Sequence, residues 1–355
     1  MLPYWLLFAV WAAGAIQFAQ TADHPRNPLL LGVISALTAL MIGLRFEVGG
    51  DWGNYQRIFD DISLLSFRDA LAYGDPAYTG LNAAAASVGL GIVSVNLICG
   101  AIFTWGVARF ALRQPNPWLA ILIGVPYFII VVAMGYTRQA TAIGIIMAGL
   151  AVASEKTIVR TVIYVIVAAL FHKTAVLALP VIGVAMLRKR PFVGLLGVIG
   201  FTGAYLVLLS GSTDALMTNY VEADYDSQGA VIRVIMDILA GGLFFIFRKS
   251  LGFDDYQRAL WSAFAIASFV CFVALFIGSG RAAIDRVALF LIPLQLIVYG
   301  RLPYAITRSS YAHSPALFAV IAYSAVVQFV WLNYADNAWG WVPYRAAPFA
   351  SASRF

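Results

Sequence analysis

Long apolar stretches dominate the hydrophobic pattern of this chain, and polar connections separate them. About twelve stretches are long enough, or nearly long enough, to cross a bilayer as helices, since a full span takes roughly 20 residues. They run over Leu2 to Ala19, Pro28 to Leu44, Ile92 to Leu112, Trp118 to Met134, Ala140 to Ala153, Ile158 to Phe171, Ala175 to Leu187, Phe192 to Leu209, Val231 to Phe247, Leu260 to Ile277, Val287 to Tyr299 and Leu317 to Leu332. The pattern predicts an all-helical protein that crosses the membrane many times.

The spans near Ala140, Ile158 and Ala175 are short for a full crossing. We expect their polar ends to lie within the membrane thickness, where they would border a cavity. No Ser/Gly linker or low-complexity segment divides the chain, which favours one transmembrane domain over residues 1–355.

Composition agrees with a membrane location. The 355 residues are 62% hydrophobic and only 11% charged, with a mean hydropathy of +0.84. A soluble core cannot hide that much apolar surface, so lipid must be part of the solvent. The net charge is +6, but the basic residues are scattered between apolar runs, which argues against nucleic acid as a partner. Cys99 and Cys271 lie in apolar runs without neighbours at metal-ligand spacing, and we interpret both as core residues.

The distribution of charge predicts the orientation. One set of alternate connections, which includes Arg113, Arg248 and Arg301, is rich in Lys and Arg, whereas the other set holds most acidic residues. The positive-inside rule makes the first set cytoplasmic. Both termini and the two long polar loops, residues 45–79 and 211–230, are then periplasmic. The first apolar run lacks a basic leader, so we expect a retained helix and not a cleaved signal peptide.

Polar groups at the ends of several spans cluster on the predicted periplasmic side. They are Arg45 to Tyr55, Tyr136 to Gln139, Phe171 to Thr174, Arg233 with Asp237, Arg281 to Arg286, and the aromatic tail Trp339 to Arg345. Ionisable groups are costly in a membrane and are usually kept for function. Several arginines suit an anionic diphosphate, because each guanidinium can donate paired hydrogen bonds and stays charged at any working pH. A lipid-linked sugar diphosphate is such a ligand.

Other side chains in these groups suit sugar chemistry. His172 or Asp51 could accept a proton from a sugar hydroxyl. Trp52, Tyr55 and Trp341 could stack on sugar faces. The same tryptophans could instead belong to an interfacial aromatic belt.

Structural roles also fit several of these charges. Arg233 and Asp237, four residues apart, could neutralise each other within one helix. Arg281, Asp285 and Arg286 could form a solvated loop with internal pairing. The acidic loop residues could hold a divalent ion, but hydrated charge suits them better, so we predict no metal and no cofactor. These residues are Asp60, Asp61, Asp69, Glu222, Asp224 and Asp226.

Taken in order, these motifs resemble the EpsG family, whose members are similar to Wzy-type polymerases of bacterial exopolysaccharide. The resemblance is carried by Arg45, Gly49, Asp51 and Tyr55, by Arg138-Gln139, by Phe171-His172-Lys173, and by Trp341, Pro343 and Tyr344. It covers nearly the whole chain, and the spacing from Arg138-Gln139 to His172-Lys173 is its most specific part. Asp75-Pro76 departs from the Glu-Pro expected in the family.

The resemblance implies a membrane glycosyltransferase of the GT-C type in the bacterial inner membrane. Such an enzyme transfers a growing glycan from undecaprenyl diphosphate to a hydroxyl of a new lipid-linked repeat at the periplasmic face. A chain-length regulator and a flippase are the expected partners. Our hypothesis for the diphosphate ligands is Arg45, Arg138, Gln139, Lys173, Arg281 and Arg286. The catalytic residues in this hypothesis are His172, Arg138 and Asp51. The predicted sugar contacts are Trp52, Tyr55, Asp75, Trp341 and Tyr344.

Three alternatives stay open at this point. The same arginines would serve a glycosyltransferase with a polyprenyl-monophosphate donor, or a ligase that moves finished glycan. A flippase or transporter would need a charged path to both faces and internal repeats, and the sequence has no clear repeat. A purely structural subunit would tolerate substitution of Arg138 and His172.

Overall fold

The computed structural model describes residues 1–19, 27–187, 229–277, 281–307 and 315–350, and every regular element in these ranges is helical. The helices begin with α1 (Leu2–Gln17), α2 (Pro28–Gly43), α3 (Trp52–Ser63), α4 (Phe67–Tyr73), α5 (Pro76–Ser87), α6 (Ile92–Ala111) and α7 (Pro117–Gly124). After α7 come a π-helix (Val125–Ala133), α8 (Thr137–Leu150), α9 (Ile158–Phe171), a 3-10 helix (Lys173–Leu177) and α10 (Ala178–Leu187). The rest are α11 (Ala230–Phe247), α12 (Asp255–Ile277), α13 (Arg281–Ala288), α14 (Ile292–Thr307), α15 (Pro315–Tyr334) and α16 (Ala347–Ala350), with 3-10 turns at Leu289–Leu291 and Ala338–Gly340.

The all-helical class is confirmed, but the count of twelve spans is not. Within the described ranges, five helical stretches are long and apolar enough to cross a membrane: Ile92–Ala111, Ala230–Phe247, Asp255–Ile277, Arg281–Thr307 and Pro315–Tyr334. Several shorter apolar helices accompany them. The predicted span Phe192 to Leu209 and residues 211–228 of the second predicted loop lie outside the described residues.

The centre of the bundle is the stretch from α7 through the π-helix to α8. Pro117 occupies the first turn of α7, and the Asn116 side chain caps that turn by accepting the Leu119 N–H at 3.0 Å. Nearly every side chain of α7, the π-helix and α8 is buried. These elements therefore form the rigid support on which the polar end of α8 rests.

Small residues let α6 and α8 pack with their backbones in contact. A methyl group added at Gly106 would lie 1.9 Å from the Gly144 carbonyl oxygen, so neither position has room for a side chain. Large apolar side chains such as Val159, Ile246 and Ile277 are exposed on the outside of the bundle, as expected for surfaces that face lipid.

The predicted polar loop over residues 45–79 is largely helical, which corrects that expectation. It contains α3, α4 and the start of α5. Tyr55, Phe59 and Ile62 bury one face of α3, and their spacing of four and three residues is that of an amphipathic helix. The many polar residues between them obscured this pattern in the sequence.

A C-terminal segment, residues 338–347, pairs with the chain that follows α2. The Phe46 N–H donates to the Arg345 carbonyl at 3.0 Å, the Gly49 N–H to the Gly340 carbonyl at 2.8 Å, and the Ala347 N–H to the Leu44 carbonyl at 2.7 Å. This segment fixes the start of the loop that carries Asp51.

Candidate active site at the polar end of the bundle

Arg138, Asp75 and His172 meet although they lie far apart in the sequence. Arg138 is on the first turn of α8, Asp75 directly precedes α5, and His172 directly follows α9. An Arg138 guanidinium nitrogen lies 2.9 Å from an Asp75 carboxylate oxygen, and His172 Nδ1 lies 3.7 Å from the same oxygen. The other Asp75 oxygen accepts the Lys173 backbone N–H at 3.0 Å. Asp75 thus joins three elements at one point.

The environment separates the protonation states of Asp75 and His172. Burial acts to raise the pKa of Asp75, but His172, Arg138 and the Lys173 N–H outweigh it and hold the pKa below its ordinary value. Burial lowers the pKa of His172, and the Asp75 carboxylate only partly opposes this. At neutral pH the site therefore contains a carboxylate beside a neutral imidazole, which can accept a proton.

Asp51, Arg286 and Tyr136 form the adjoining part of the site. An Arg286 guanidinium nitrogen lies 3.9 Å from an Asp51 carboxylate oxygen, and the guanidinium carbon lies 3.8 Å from the centre of the Tyr136 ring. Burial raises the pKa of Asp51, while the charges of Arg286 and Arg138 oppose that rise. The side chains of Arg138 and Arg286 are 28% and 29% exposed, so both cations can reach a ligand from solvent.

Gln139 and Lys173 each make a hydrogen bond that connects two parts of the site. The Gln139 amide nitrogen donates to the Arg286 carbonyl at 2.6 Å, which ties α8 to α13. Gln139 therefore helps to orient Arg286, and its amide nitrogen already donates a hydrogen bond to the Arg286 carbonyl. The Lys173 backbone N–H is committed to Asp75, as described above.

The proposed internal pair of Arg233 and Asp237 is wrong. Arg233 instead makes a bidentate pair with Asp285 across the α11–α13 contact, with a nitrogen–oxygen distance of 2.6 Å for Nε. Asp237 accepts a hydrogen bond from the Gln295 side chain at 2.7 Å. Asp237 is buried and Arg233 is half-buried, and each side chain bonds to a group on a neighbouring helix instead of to the other.

The alternative of a solvated loop over residues 281–286 is also wrong. These residues form α13, and Asp285 is only 7% exposed. Arg281 is exposed at the start of that helix, one turn before Asp285.

The structure does not place Arg45 on the exposed part of the site. Its side chain is 1% exposed, and its guanidinium donates to the Ile42 carbonyl at 2.6 Å, to Thr137 Oγ1 at 2.6 Å and to Asn96 Oδ1 at 3.3 Å. Thr137 directly precedes Arg138. Arg45 thus positions the beginning of α8, and in this arrangement it has no free surface for a diphosphate.

The aromatic candidates divide into two groups. The Tyr55 and Tyr78 rings lie 5.9 and 5.8 Å from the Arg138 guanidinium carbon, and a half-buried Trp52 packs beside Phe46. Tyr55 and Trp52 therefore border the site.

Trp341 and Tyr344 contact the protein core. Trp341 is 1% exposed, and its indole nitrogen donates to the Ile130 carbonyl of the π-helix at 2.8 Å. The half-buried Tyr344 donates its hydroxyl to the Met41 carbonyl at 2.8 Å. In this arrangement the Trp341 ring is not available for stacking on a sugar, because it fills the space above Gly135.

Three of the six acidic loop residues make hydrogen bonds with other side chains, while Glu222, Asp224 and Asp226 lie outside the described residues. Asp60 accepts from Gln56, Asp61 from Tyr73, and Asp69 from Ser66. In the described part of the chain, no three His, Cys, Asp or Glu residues come together in a group that could hold a metal ion.

Sequence reasoning missed several members of the site. Tyr78 flanks Arg138, Asn96 holds Arg45, and Tyr127 lies 5.9 Å from the Arg233 guanidinium carbon. Asn96 carried a signal, because it is a buried amide within an otherwise apolar span. Tyr78 follows Asp75 at a helical spacing, whereas nothing in the sequence distinguishes Tyr127.

The fold and the site together define a polytopic helical membrane protein with a cluster of paired arginine and aspartate side chains and a histidine at one end of the bundle. The chain belongs to the EpsG family, whose sequence model matches residues 29–346. This membership supports a polysaccharide polymerase-like function. Comparison with curated proteins and with solved structures finds no match.

Proposed function

We propose that this protein polymerises exopolysaccharide by transferring a growing glycan from undecaprenyl diphosphate to a hydroxyl of a new lipid-linked repeat. One observation carries the proposal: the partly exposed Arg138 and the His172 imidazole share one Asp75 carboxylate oxygen, and the partly exposed Arg286 lies 3.9 Å from Asp51 in the adjoining part of the site. We assign this end to the periplasmic side of the bacterial inner membrane, in a GT-C-type arrangement with periplasmic termini.

The diphosphate of the donor lies between Arg138 and Arg286 in this proposal. Diphosphate leaves readily once its charge is held, and preorganised cations in a poorly hydrated site stabilise the charge that develops on it. Asp75 and Asp51 keep the two guanidinium groups in place before substrate arrives. Arg45 acts through Thr137 to position Arg138, and Gln139 acts on the carbonyl of Arg286.

His172 is the proposed general base. The acceptor hydroxyl oxygen forms a bond to the anomeric carbon of the donor, the bond from that carbon to the diphosphate oxygen breaks with its electron pair, and the hydroxyl proton passes to His172. Asp75 lies 3.7 Å from the imidazole and favours its charged form after the transfer. Asp51 is the alternative base, since its carboxylate lies 3.9 Å from an Arg286 guanidinium nitrogen in the adjoining part of the site.

The proposal predicts the behaviour of a strain that lacks the gene. The strain is complemented with wild type, Arg138→Ala or His172→Ala at matched membrane levels, and its lipid-linked glycans are separated by size. We expect wild type to restore polymer, and Arg138→Ala and His172→Ala to accumulate single repeats with polymer reduced about 100-fold or more. Arg57→Ala is the matched control, because Arg57 is an exposed arginine near the site whose only described side-chain bond is to Asn54.

Two outcomes would contradict the proposal, and a third would invalidate the assay. Normal polymer with Arg138→Ala or His172→Ala removes that residue from the mechanism. Normal polymer in the deletion strain rules out the polymerase function. Loss of polymer with Arg57→Ala would mean that the assay responds to any change in this region.

A further inference from the structure

The Arg286 guanidinium lies flat against the Tyr136 ring. The guanidinium carbon is 3.8 Å from the centre of the ring, which is about the contact distance between two carbon layers. A carbon this close can only lie over the face of the ring, because the ring atoms themselves occupy the space around its edge. The Tyr55 and Tyr78 rings, by comparison, lie 5.9 and 5.8 Å from the Arg138 guanidinium carbon. The Tyr136 contact is therefore a stacking contact of two flat groups.

The backbone around Tyr136 limits the movement of its ring. The Tyr136 N–H donates to the Val132 carbonyl, and the Tyr136 carbonyl accepts the Ala140 N–H, both at 2.8 Å. Two residues before Tyr136, the loop that follows α2 crosses so closely that a methyl group at Gly49 would lie 2.3 Å from the Met134 carbonyl oxygen. The ring is therefore attached to a backbone that is held on both sides.

The backbone of Arg286 is held as well, and the ring contact then orients its charged end. The Gln139 amide donates to the Arg286 carbonyl, and the pair of Arg233 with Asp285 ties α13 to α11. The contact of the guanidinium with Asp51 is 3.9 Å long, which is longer than a hydrogen bond. An ion pair of that length does not fix the plane of the guanidinium, whereas a stacking contact does.

Tyr136 is a neutral partner in this contact. Burial raises the pKa of Tyr136 above its ordinary value, and the charges of Arg286 and Arg233 only partly oppose that rise. The phenol therefore keeps its proton at neutral pH, and the contact is a cation–π interaction and not an ion pair. Tyr136 thus orients the charge of Arg286 without neutralising it.

Stacking suits an arginine that binds an anion. All N–H groups of a guanidinium lie in its plane, so contact through the face leaves the donors at the edge pointing past the ring. These are the donors that pair with the oxygens of a phosphate group. The Arg286 side chain is 29% exposed, so a ligand can reach it.

We propose that Tyr136 is a positioning residue for Arg286, which holds the guanidinium flat so that its edge meets the diphosphate of the lipid-linked donor. The inference rests on the proposed function, because that proposal places the diphosphate between Arg138 and Arg286. Tyr136 acts through Arg286 and not on the substrate. It keeps the cation in a fixed plane before the substrate arrives.

Two substitutions of Tyr136 test the proposal. Tyr136→Leu removes the ring, while Tyr136→Phe keeps the ring and removes only the hydroxyl. Binding of inorganic diphosphate to the purified protein in detergent is measured by calorimetry at low salt. We expect Tyr136→Leu to raise the Kd about five- to tenfold, within the range of a partly desolvated cation–π contact, and Tyr136→Phe to stay within about twofold of wild type. Tyr334→Leu is the matched control and should bind like wild type, because Tyr334 is 71% exposed on α15.

A second background separates positioning from a general effect on folding. Arg286→Lys keeps the charge, so that binding can still be measured, but it has no flat group for the ring to orient. Adding Tyr136→Leu to Arg286→Lys should therefore raise the Kd by less than about twofold. The ratio kcat/KM for a lipid-linked donor should follow the same pattern, with a loss of about five- to tenfold from Tyr136→Leu only when Arg286 is present. A ring that only supports the fold would cost the same factor in both backgrounds.

The failures of the two proposals can be told apart. The role of Tyr136 is wrong if Tyr136→Leu binds diphosphate like wild type, if Tyr136→Phe or Tyr334→Leu binds as weakly as Tyr136→Leu, or if Tyr136→Leu costs the same factor in the Arg286→Lys background. Absence of diphosphate binding by wild type also overturns it, since Arg286 would then not bind the anion. If the binding series gives the expected factors but wild type forms no polymer from a lipid-linked repeat, the polymerase proposal fails and the role of Tyr136 in diphosphate binding stands.

Discussion

At the scale of residues, the contact between Asp75 and His172 explains how one small region keeps a base ready beside strong cations. Three charged or polar partners keep Asp75 ionised, and burial keeps His172 neutral. An exposed histidine beside a carboxylate would instead have a raised pKa and would be more often protonated. Burial of His172 is therefore the feature that suits it to accept a proton.

This arrangement predicts the pH dependence of the reaction. The rate of purified protein should fall in acid with an apparent pKa below 6.5, the ordinary value for histidine, because protonated His172 cannot act as a base. Asp75→Asn should move this limb to still lower pH, since the carboxylate that favours the imidazolium is gone. Asp51→Asn should leave the limb in place.

The pH profile also identifies the base. Loss of the acid limb in Asp51→Asn would transfer that role from His172 to Asp51. Asp60→Asn is the control for a general effect of charge, because Asp60 is exposed on α3. The free energy of unfolding should change in the same direction. Because the pKa of His172 is lower in the folded protein than in the unfolded chain, this free energy should fall as the pH drops from about 6.5 towards the pKa of the folded state.

At the scale of elements, the close contact of α6 with α8 fixes the position of the first turn of α8, which carries Arg138. Gly106 faces Gly144 with no room for a side chain, and Arg45 joins both helices by bonding to Asn96 on α6 and Thr137 on α8. The position of Arg138 therefore depends on how closely these helices approach.

Gly106→Ala should separate the two helices. The new methyl group would lie 1.9 Å from the Gly144 oxygen, and overpacking of this kind costs about 1–3 kcal/mol of unfolding free energy. Gly242→Ala on α11 is the control, because no atom of the described residues outside its own helix backbone lies within 4 Å of the place that its new methyl group would occupy. Thermal unfolding in detergent should show a lower midpoint for Gly106→Ala and an equal or higher one for Gly242→Ala.

Equal midpoints for both glycine variants would contradict the close helix contact. A fall in polymerisation by Gly106→Ala that exceeds its loss of folded protein would show that helix spacing also sets the geometry of Arg138.

At the scale of the whole molecule, the sequence predicts which segments meet better than it predicts which side chains pair. The span ends predict that Asp51, Arg138, His172 and Arg286 lie at one end of the bundle, and the structure places Arg138 and His172 at Asp75 and Arg286 beside Asp51. The side of the membrane that this end faces stays a prediction. Hydropathy also predicts the helical class. The span ends and the helical class can be predicted because they depend on the bilayer thickness and on the length of each apolar run, and both runs and ends can be read from the sequence.

Partner choice depends on distances between helices, which the sequence does not record. Arg233 and Asp237 have ideal spacing for a local pair, yet each bonds to another helix. Arg45 has the residue type of a diphosphate ligand, yet its guanidinium donates hydrogen bonds to Asn96 and Thr137. The amphipathic helix α3 is hidden because only three of its residues are buried.

Reconstitution of the purified protein tests whether this chain by itself catalyses polymerisation. Purified protein in liposomes is given a lipid-linked repeat without any nucleotide sugar, and products are separated by size. The account predicts a ladder of polymers with release of undecaprenyl diphosphate, abolished by Arg138→Ala and preserved by Arg57→Ala. Only unreacted single repeats with folded wild-type protein, or an unchanged ladder with Arg138→Ala, would contradict it.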